Sequence, residues 1–466
     1  MSRAPGDAGP WDAGPGAARP SPAIDGAPPV APNLPPTPPV PGETQVGRNT
    51  IETLLFRGLS TPMALLLVVV QSRFLAPSGR GTFVLVVLSV TILSRLLGQL
   101  GLAVTTRMRQ DDVELRRHVQ RAFVLAVTLG LVGSGVVVVL GSLTDAIGTR
   151  LALVAAVALV PNVIWQTVSG VLLGRARVRA WNYVQALSPI LTLAGMLVLV
   201  VALDGGVLAA VTAWTLAHLL TAAFALAVSR DIWFPFGRPP AFDAHGRTIL
   251  RLAIVMGAVQ VVNLVGYRVE LFILEWYEGV DAVGIYSIAM QAAEAIWLVP
   301  AAIATAITGP VVHDDERDST RLVSRSAVKG LLLTAGVALA VGLTSPFLIP
   351  LLFGEDFDPA IRPLALLLPG IVAYGPVTIL VVYLSIRHAR PNLSLVVAVT
   401  AMVTTAALSL LLIPRYGAEG AAGASTSGYV LGGVLAWFLF RRVAQQARDE
   451  TRESDVALGG RRDLTS

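Results

Sequence analysis

The 466-residue chain carries 35 basic and 30 acidic side chains, a formal charge of +5 and no cysteine, and only 14% of its residues are charged. Without cysteines there are no disulfides and no thiolate metal sites, and a mean hydropathy of +0.69 belongs to a chain built for lipid. The positive excess does not point to nucleic acid, because the basic residues sit between apolar stretches, where membrane topology accounts for them.

Residues 1–47 hold thirteen of the thirty prolines, mixed with Ala and Gly. Such a segment buries too little apolar surface to offset its ordering entropy, so it is expected to be a disordered, Pro-rich cytoplasmic tail. It lacks the basic start and continuous apolar core of a signal peptide. From Thr50 to Arg441 follow about twelve apolar stretches of the length one helix needs to cross hydrocarbon. A backbone in lipid must satisfy its own hydrogen bonds, so each reads as a helix. The expectation is an all-α integral membrane protein of about 12 transmembrane helices. Residues 48–229 form an N-terminal six-helix lobe, 230–247 a cytoplasmic linker, 248–441 a C-terminal six-helix lobe, and 442–466 a frayed cytoplasmic tail. Among the spans, the first is Thr50–Phe74, the second Thr82–Val104, the seventh Thr248–Trp276 and the eighth Ala282–Val312. No connector is long enough for a soluble catalytic domain.

Orientation follows from the connectors. Even-numbered ones hold sixteen basic residues, among them Arg107, Arg177, Arg230, Arg317, Arg321, Arg325 and Arg387. The odd ones offer five: Arg73, Arg80, Arg150, Arg362 and Arg415. The positive-inside rule then puts both termini in the cytoplasm and favours an even number of spans. The chain also repeats itself. Aligning Gly81 with Gly284, Asn182 with Asn392 and Gly206 with Gly417 gives offsets of 203, 210 and 211. Three matches in order at a nearly constant offset predict two parallel six-helix repeats related by an axis along the membrane normal, with a central cavity between them.

Ionisable groups inside spans are costly and face a cavity or a partner. Arg57 and Arg95 in the first two spans, and Arg268 and Asn263 in the seventh, are the candidates to line the cavity. For Arg57, snorkelling to headgroups is an equal alternative. Glu294, with Gln291, is the candidate for ion coupling or for pairing, and a long Arg268–Glu294 salt bridge is possible. Glu270 and Arg73 read as interfacial anchors and His218 as packing. Arginine suits an anionic diphosphate cargo, because guanidinium binds phosphate in a bidentate fork. No G-x-x-x-x-G-K-[ST] loop and no H-E-x-x-H motif occurs, and no nucleophile–base constellation stands out, so an enzyme is not expected.

Four segments resemble the polysaccharide-biosynthesis flippases. "SRFLAPSGRGTFVLVVLSVTILSRLLGQLGLAVTTRMRQ" (Ser72–Gln110) is similar to their first hairpin, and "GVLLGRARVRAWNYVQALSPI" (Gly170–Ile190) to the segment after their fourth span. "GYRVELFILEWYEGVDAVGIYSIAMQAAEAIWLVPAAI" (Gly266–Ile303) resembles their seventh–eighth hairpin, with Glu270 where the family often has aspartate, and "LLIPRYGAEGAAGASTSGY" (Leu411–Tyr429) the entry to their last two spans. The motifs mark the multidrug, oligosaccharidyl-lipid and polysaccharide exporter superfamily and not a substrate. The resemblance implies a V-shaped helical bundle working by alternating access in the bacterial cytoplasmic (inner) membrane. Its cargo would be a lipid-diphosphate-linked oligosaccharide. It also implies no resident cofactor beyond a coupling ion, proton or sodium, and a monomer that works beside a polysaccharide polymerase or assembly proteins. The alternatives are a cation-coupled drug exporter of the same superfamily and a non-transporting scaffold of a polysaccharide assembly complex.

Overall fold

The computed structural model describes the backbone of residues 43–105, 112–144, 146–237 and 244–462, and side chains within residues 62–105, 113–144, 146–237 and 245–449. Contacts set residues 1–48 apart from residues 49–466, and the second unit holds every span and both apolar cores. The expected disorder of the tail falls outside the described residues up to residue 42.

The described chain is helical, without strands. Helix α1 (Glu43–Leu97) and α2 (Leu100–Thr105) are followed by α3 (Asp112–Ser142), α4 (Gly148–Gly174) and α5 (Val178–Met196), which ends in a π-helical turn at Leu197–Ala202. Next come α6 (Gly206–Val228), the short α7 (Arg230–Trp233), α8 (Ala244–Gly266), α9 (Val269–Ala295) and α10 (Leu298–His313). Helix α11 (Glu316–Phe353), a 3-10 turn at Glu355–Ala360, α12 (Ile361–Val381) with a π-helical turn at Val382–Arg387, and α13 (Pro391–Arg462) complete the chain. The C-terminal segment expected to fray is helical to Arg462. Among the described residues, ten helical stretches are long and apolar enough to cross a membrane.

Three of these stretches fold back on themselves at one residue. Ala76 in α1 (φ 56°, ψ 177°), Gly279 in α9 (φ 81°, ψ −177°) and Gly417 in α13 (φ 51°, ψ −130°) leave helical geometry. The sequence supplies the reasons. Ala76 precedes Pro77, which disfavours the helical region for the residue before it, and glycine alone takes a positive φ without steric cost. Contacts confirm the reversals. Arg268 reaches Glu294, 26 residues on, a distance of about 39 Å along a straight helix. A Cβ on Gly420 would meet the Leu412 carbonyl oxygen at 2.5 Å.

The backbone reproduces the repeat. Ala76 and Gly279, both at positive φ with ψ near 180°, are 203 residues apart, the offset of Gly81 and Gly284. Those two glycines pack on each other reciprocally. A methyl group at Gly81 would strike the Val280 carbonyl, and one at Gly284 would strike the Pro77 carbonyl, itself 203 residues before Val280. A contact that maps onto itself when its partners are exchanged is what a pseudo-two-fold axis produces. Gly206 and Gly417 likewise share positive φ, 62° and 51°. Lipid supplies no hydrophobic drive between helices, so close backbone approach through small residues carries the packing.

Two apolar cores result. The first is built from buried residues between Val70 and Ala253. The second runs from Leu271 to Ala444 and recruits Leu85 and Leu88 from the first hairpin. Helix α8 packs its start, Ile249 and Ala253, into the first core, and Gly257 lies against the Leu96 carbonyl.

Two expectations about arginines change here. Arg80, counted as an outer-connector residue, is fully buried beside the glycine crossing. Its Nε donates to Ser287 Oγ at 2.9 Å and one Nη to Gln71 Oε1 at 2.9 Å, while the other Nη has no partner. Arg73 caps the C-terminal end of α11, donating to the Leu351 and Leu352 carbonyls, where a cation also meets the negative end of the helix dipole.

Candidate functional site

Interrupted helices organise both cores. The expected second span breaks between Leu97 and Leu100, where α1 gives way to α2. The expected seventh span is not continuous either: α8 ends at Gly266 and α9 starts after Arg268 (φ −140°). The eighth breaks at Ile296 and Trp297, between α9 and α10. Irregular backbone at such depth is tolerated where it borders a cavity or is buried in protein, and unwound helices mark binding sites in transporters.

In the first core, a cavity of about 430 Å³ opens beside the first of these breaks. Arg95 lines it as the sole cation, solvent-accessible, and among the described residues it has no hydrogen-bond or ion-pair partner. Around it stand three indoles, Trp165, Trp181 and Trp214, and the amides of Asn162, Gln166, Gln185 and Gln260. Gln166 donates to Asn162 Oδ1 at 2.6 Å, while Trp165 Nε1 and Ser169 Oγ are buried without a partner. His218, expected to be packing, is buried and donates from Nδ1 to the Trp214 carbonyl, 2.9 Å away, with its ring 4.3 Å from the Trp214 ring. It also lines the cavity. Gln260 arrives from α8, so the seventh expected span closes a cavity otherwise made by α1, α2, α4, α5 and α6.

In the second core the cation within the spans is neutralised. Arg268 forms a bidentate pair with Glu294, 2.5 Å and 2.8 Å, and also donates to the Tyr267 carbonyl at 3.0 Å. The bridge expected to be long is therefore short, because the breaks in both helices bring Arg268 and Glu294 to one level. Both side chains keep 22% exposure. Tyr267, Trp297, Tyr374 and Tyr429 wall the pair as a ring cluster with centroids 5.4–6.4 Å apart. Trp297 donates from Nε1 to the Ile371 carbonyl at 3.1 Å. Glu270, expected at the interface, is 1% exposed, and neither carboxylate oxygen has a hydrogen-bond partner. Ser425, 3.5 Å from the Tyr286 hydroxyl, stands beside it.

Among the other expected site residues, Asn263 and Gln291 are half-buried on α8 and α9, and Asn263 is not part of the Arg95 cavity lining. The Arg57 side chain lies outside the described residues. Sequence reading missed the tryptophans and the tyrosine cluster. Their signal was present as aromatic and amide residues embedded in otherwise aliphatic spans, but nothing in the sequence places them face to face. Among the described residues no three His, Cys, Asp or Glu side chains converge on a metal-sized site.

The fold has known relatives. An inward-facing multidrug-resistance MATE family transporter of the MOP superfamily superposes with a TM-score of 0.69 at 14% identity, covering 83% of this chain and 95% of that one. The lipid II flippase MurJ in an inward closed conformation gives 0.71 at 12% identity, covering 84% and 87%. A MOP superfamily transporter from Pyrococcus furiosus, described as having a binding pocket of reverse polarity, gives 0.58 at 15% identity over 86% and 95%. No curated protein sequence matches the chain. These fold relatives are transporters and flippases. The family model for polysaccharide biosynthesis proteins matches residues 46–314, more than half of the chain, and the protein belongs to that family.

Proposed function

We propose that the protein translocates a lipid-diphosphate-linked oligosaccharide across the bacterial cytoplasmic membrane by alternating access. Twelve crossings follow when each of the three reversals divides a stretch in two and the pieces on either side of Arg268 are joined. Without the buried Arg80, the sixteen-to-four bias of basic residues then supports cytoplasmic termini. The observation that carries the cargo reading is Arg95, without a partner among the described residues, in a tryptophan-lined cavity. A free guanidinium takes a phosphate in a bidentate fork. Indole faces offer flat apolar surface to the C–H side of a sugar ring, and amides match its hydroxyls. Arg268 is the weaker phosphate ligand, since Glu294 already occupies its fork.

Coupling rests with Glu270 in this reading. A carboxylate buried this deeply, with only the Ser425 hydroxyl beside it, is costly as a bare anion, so it carries a proton or meets a cation. The same observation favours the second reading, a cation-coupled exporter of small molecules. One experiment separates the two: purified protein in liposomes is given an undecaprenyl-diphosphate oligosaccharide or a fluorescent organic cation, with and without a pH or sodium gradient. The flippase reading expects translocation of the glycolipid and its loss in Arg95→Ala. Movement of the organic cation alone would replace it with the exporter reading.

A further inference from the structure

A second basic site lies far from Arg95 in the fold. A groove of about 860 Å³ opens between the first turns of α11 and the part of α13 around Phe440. Arg317, Arg321 and Arg325 line it from α11, and Arg441 and Arg448 from α13. Spacings of four and eight residues on one helix, and of seven on the other, put each set on a single face. No acidic side chain lines the groove, and the neighbouring Glu316 is engaged by Arg387 at 2.8 Å. Among the described residues none of the five guanidiniums has an ion-pair or hydrogen-bond partner, and Arg441 merely lies over the Trp437 ring at 5.5 Å.

Topology alone explains arginines at a helix end, but not their convergence. Five cations around one groove repel each other, and among the described residues no acidic side chain in the groove offsets that repulsion. The same two faces continue into apolar surface. On α11, Val328 and Leu332 lie three and seven residues beyond Arg325 and are 46% and 65% exposed. On α13, Trp437 and Val434 lie four and seven residues before Arg441, and Val434 is 63% exposed. Helix α11 packs on α10, α12 and α13, so this surface borders the second core and not the Arg95 cavity. A charged head region above two apolar strips is the shape of a lipid site, and basic pockets between membrane helices hold phosphorylated headgroups. Five guanidiniums exceed what one phosphate can use, at about two forks each.

We propose that this groove seats the headgroup of an anionic glycerophospholipid carrying two phosphates, in the leaflet that meets this end of α11, with its acyl chains along Val328, Leu332 and Val434. The site is independent of what the Arg95 cavity carries. The test is native mass spectrometry of the full-length protein titrated with cardiolipin, with phosphatidylglycerol, undecaprenyl diphosphate and inorganic pyrophosphate as comparisons. Cardiolipin is expected to bind most tightly. R317A/R321A/R325A should weaken it about a hundredfold and R441A/R448A about thirtyfold, at roughly a fivefold step per arginine. Arg150→Ala, outside the groove, should leave it unchanged. The two multiple variants read the same groove from different helices, so one that fails to fold does not remove the test. Retention of cardiolipin by a folded multiple variant overturns the proposal. So does equal binding of pyrophosphate, which would make the site one for soluble phosphate, and so does preference for undecaprenyl diphosphate, which would make it a cargo site.

Discussion

The two cores share a backbone plan and differ in what they do with the arginine within their spans. Each begins with a hairpin that turns at a residue of positive φ, Ala76 or Gly279, and each interrupts the second helix of that hairpin. In the first core the break leaves Arg95 facing the cavity among tryptophans and amides, without a partner among the described residues. In the second the break is filled: Glu294 holds Arg268, and four aromatic rings close around the pair. Elsewhere the halves pair their arginines alike: Arg177 holds Asp231 in the first and Arg387, 210 residues later, holds Glu316 in the second, where Arg390 also meets the neutral Gln446 at 3.0 Å. A duplicated backbone thus preserves turns and close approaches, and side chains alone divide the work: an available cation in one half, a neutralised and rigid one beside a lone carboxylate in the other.

The strongest way to break this comparison is at Arg95. Arg95→Ala should lower glycolipid translocation in liposomes about a hundredfold, the worth of two charge-assisted hydrogen bonds, with unchanged protein level. Arg95→Lys should recover only part, since it lacks the planar fork. Next is Glu270. Glu270→Gln is shaped like the protonated acid, so transport should lose its dependence on a pH or sodium gradient; an undiminished dependence would move coupling elsewhere. For the ion pair, Glu294→Ala or Arg268→Ala leaves one charge stranded and should cost about 2 kcal/mol of stability, less than a fully enclosed pair because both groups keep some exposure. Replacing both by methionine should recover most of that loss in a thermal-unfolding assay. Ala76→Gly, which copies the residue at the equivalent turn of the second repeat, should stabilise by about 1 kcal/mol through relief of a positive φ.

The smallest effect belongs to the exposed Arg177–Asp231 pair. Its hydrogen bond from Arg177 holds the Asp231 carboxyl below its ordinary range. A lowered carboxyl in the folded state contributes stability above its unfolded pKa, and that contribution disappears as pH falls through the folded value. Asp231→Asn should therefore cost no more than about 0.5 kcal/mol at neutral pH, less in high salt, and nothing in acid. Gln446→Asp should give the second repeat a similar gain, measured the same way.

Much of this protein was legible in one dimension. Apolar runs of helical length forced a membrane-spanning helical fold, because a backbone in lipid has no other way to pair its polar groups. The gaps between Phe74 and Thr82 and between Trp276 and Ala282 located two of the reversals, and glycines at a near-constant offset marked the repeat. Local chemistry dictates each of these within a few residues. What remained hidden depends on which residues meet across the bundle. An arginine's position in a span does not reveal whether a carboxylate faces it: Arg95 and Arg268 look alike in sequence, yet one is free and the other paired. Glu270 reads as an interfacial residue from its place near a span end, and it is buried because α9 folds back and α13 covers it. Arg80 reads as a loop residue and lies at the crossing of two hairpins. Sequence determined where the chain turns and which stretches enter lipid, through short-range backbone sterics and hydrogen-bond economy. Only the tertiary structure decided which charges are paired, since pairing is set by contacts between residues 26 to more than 200 positions apart.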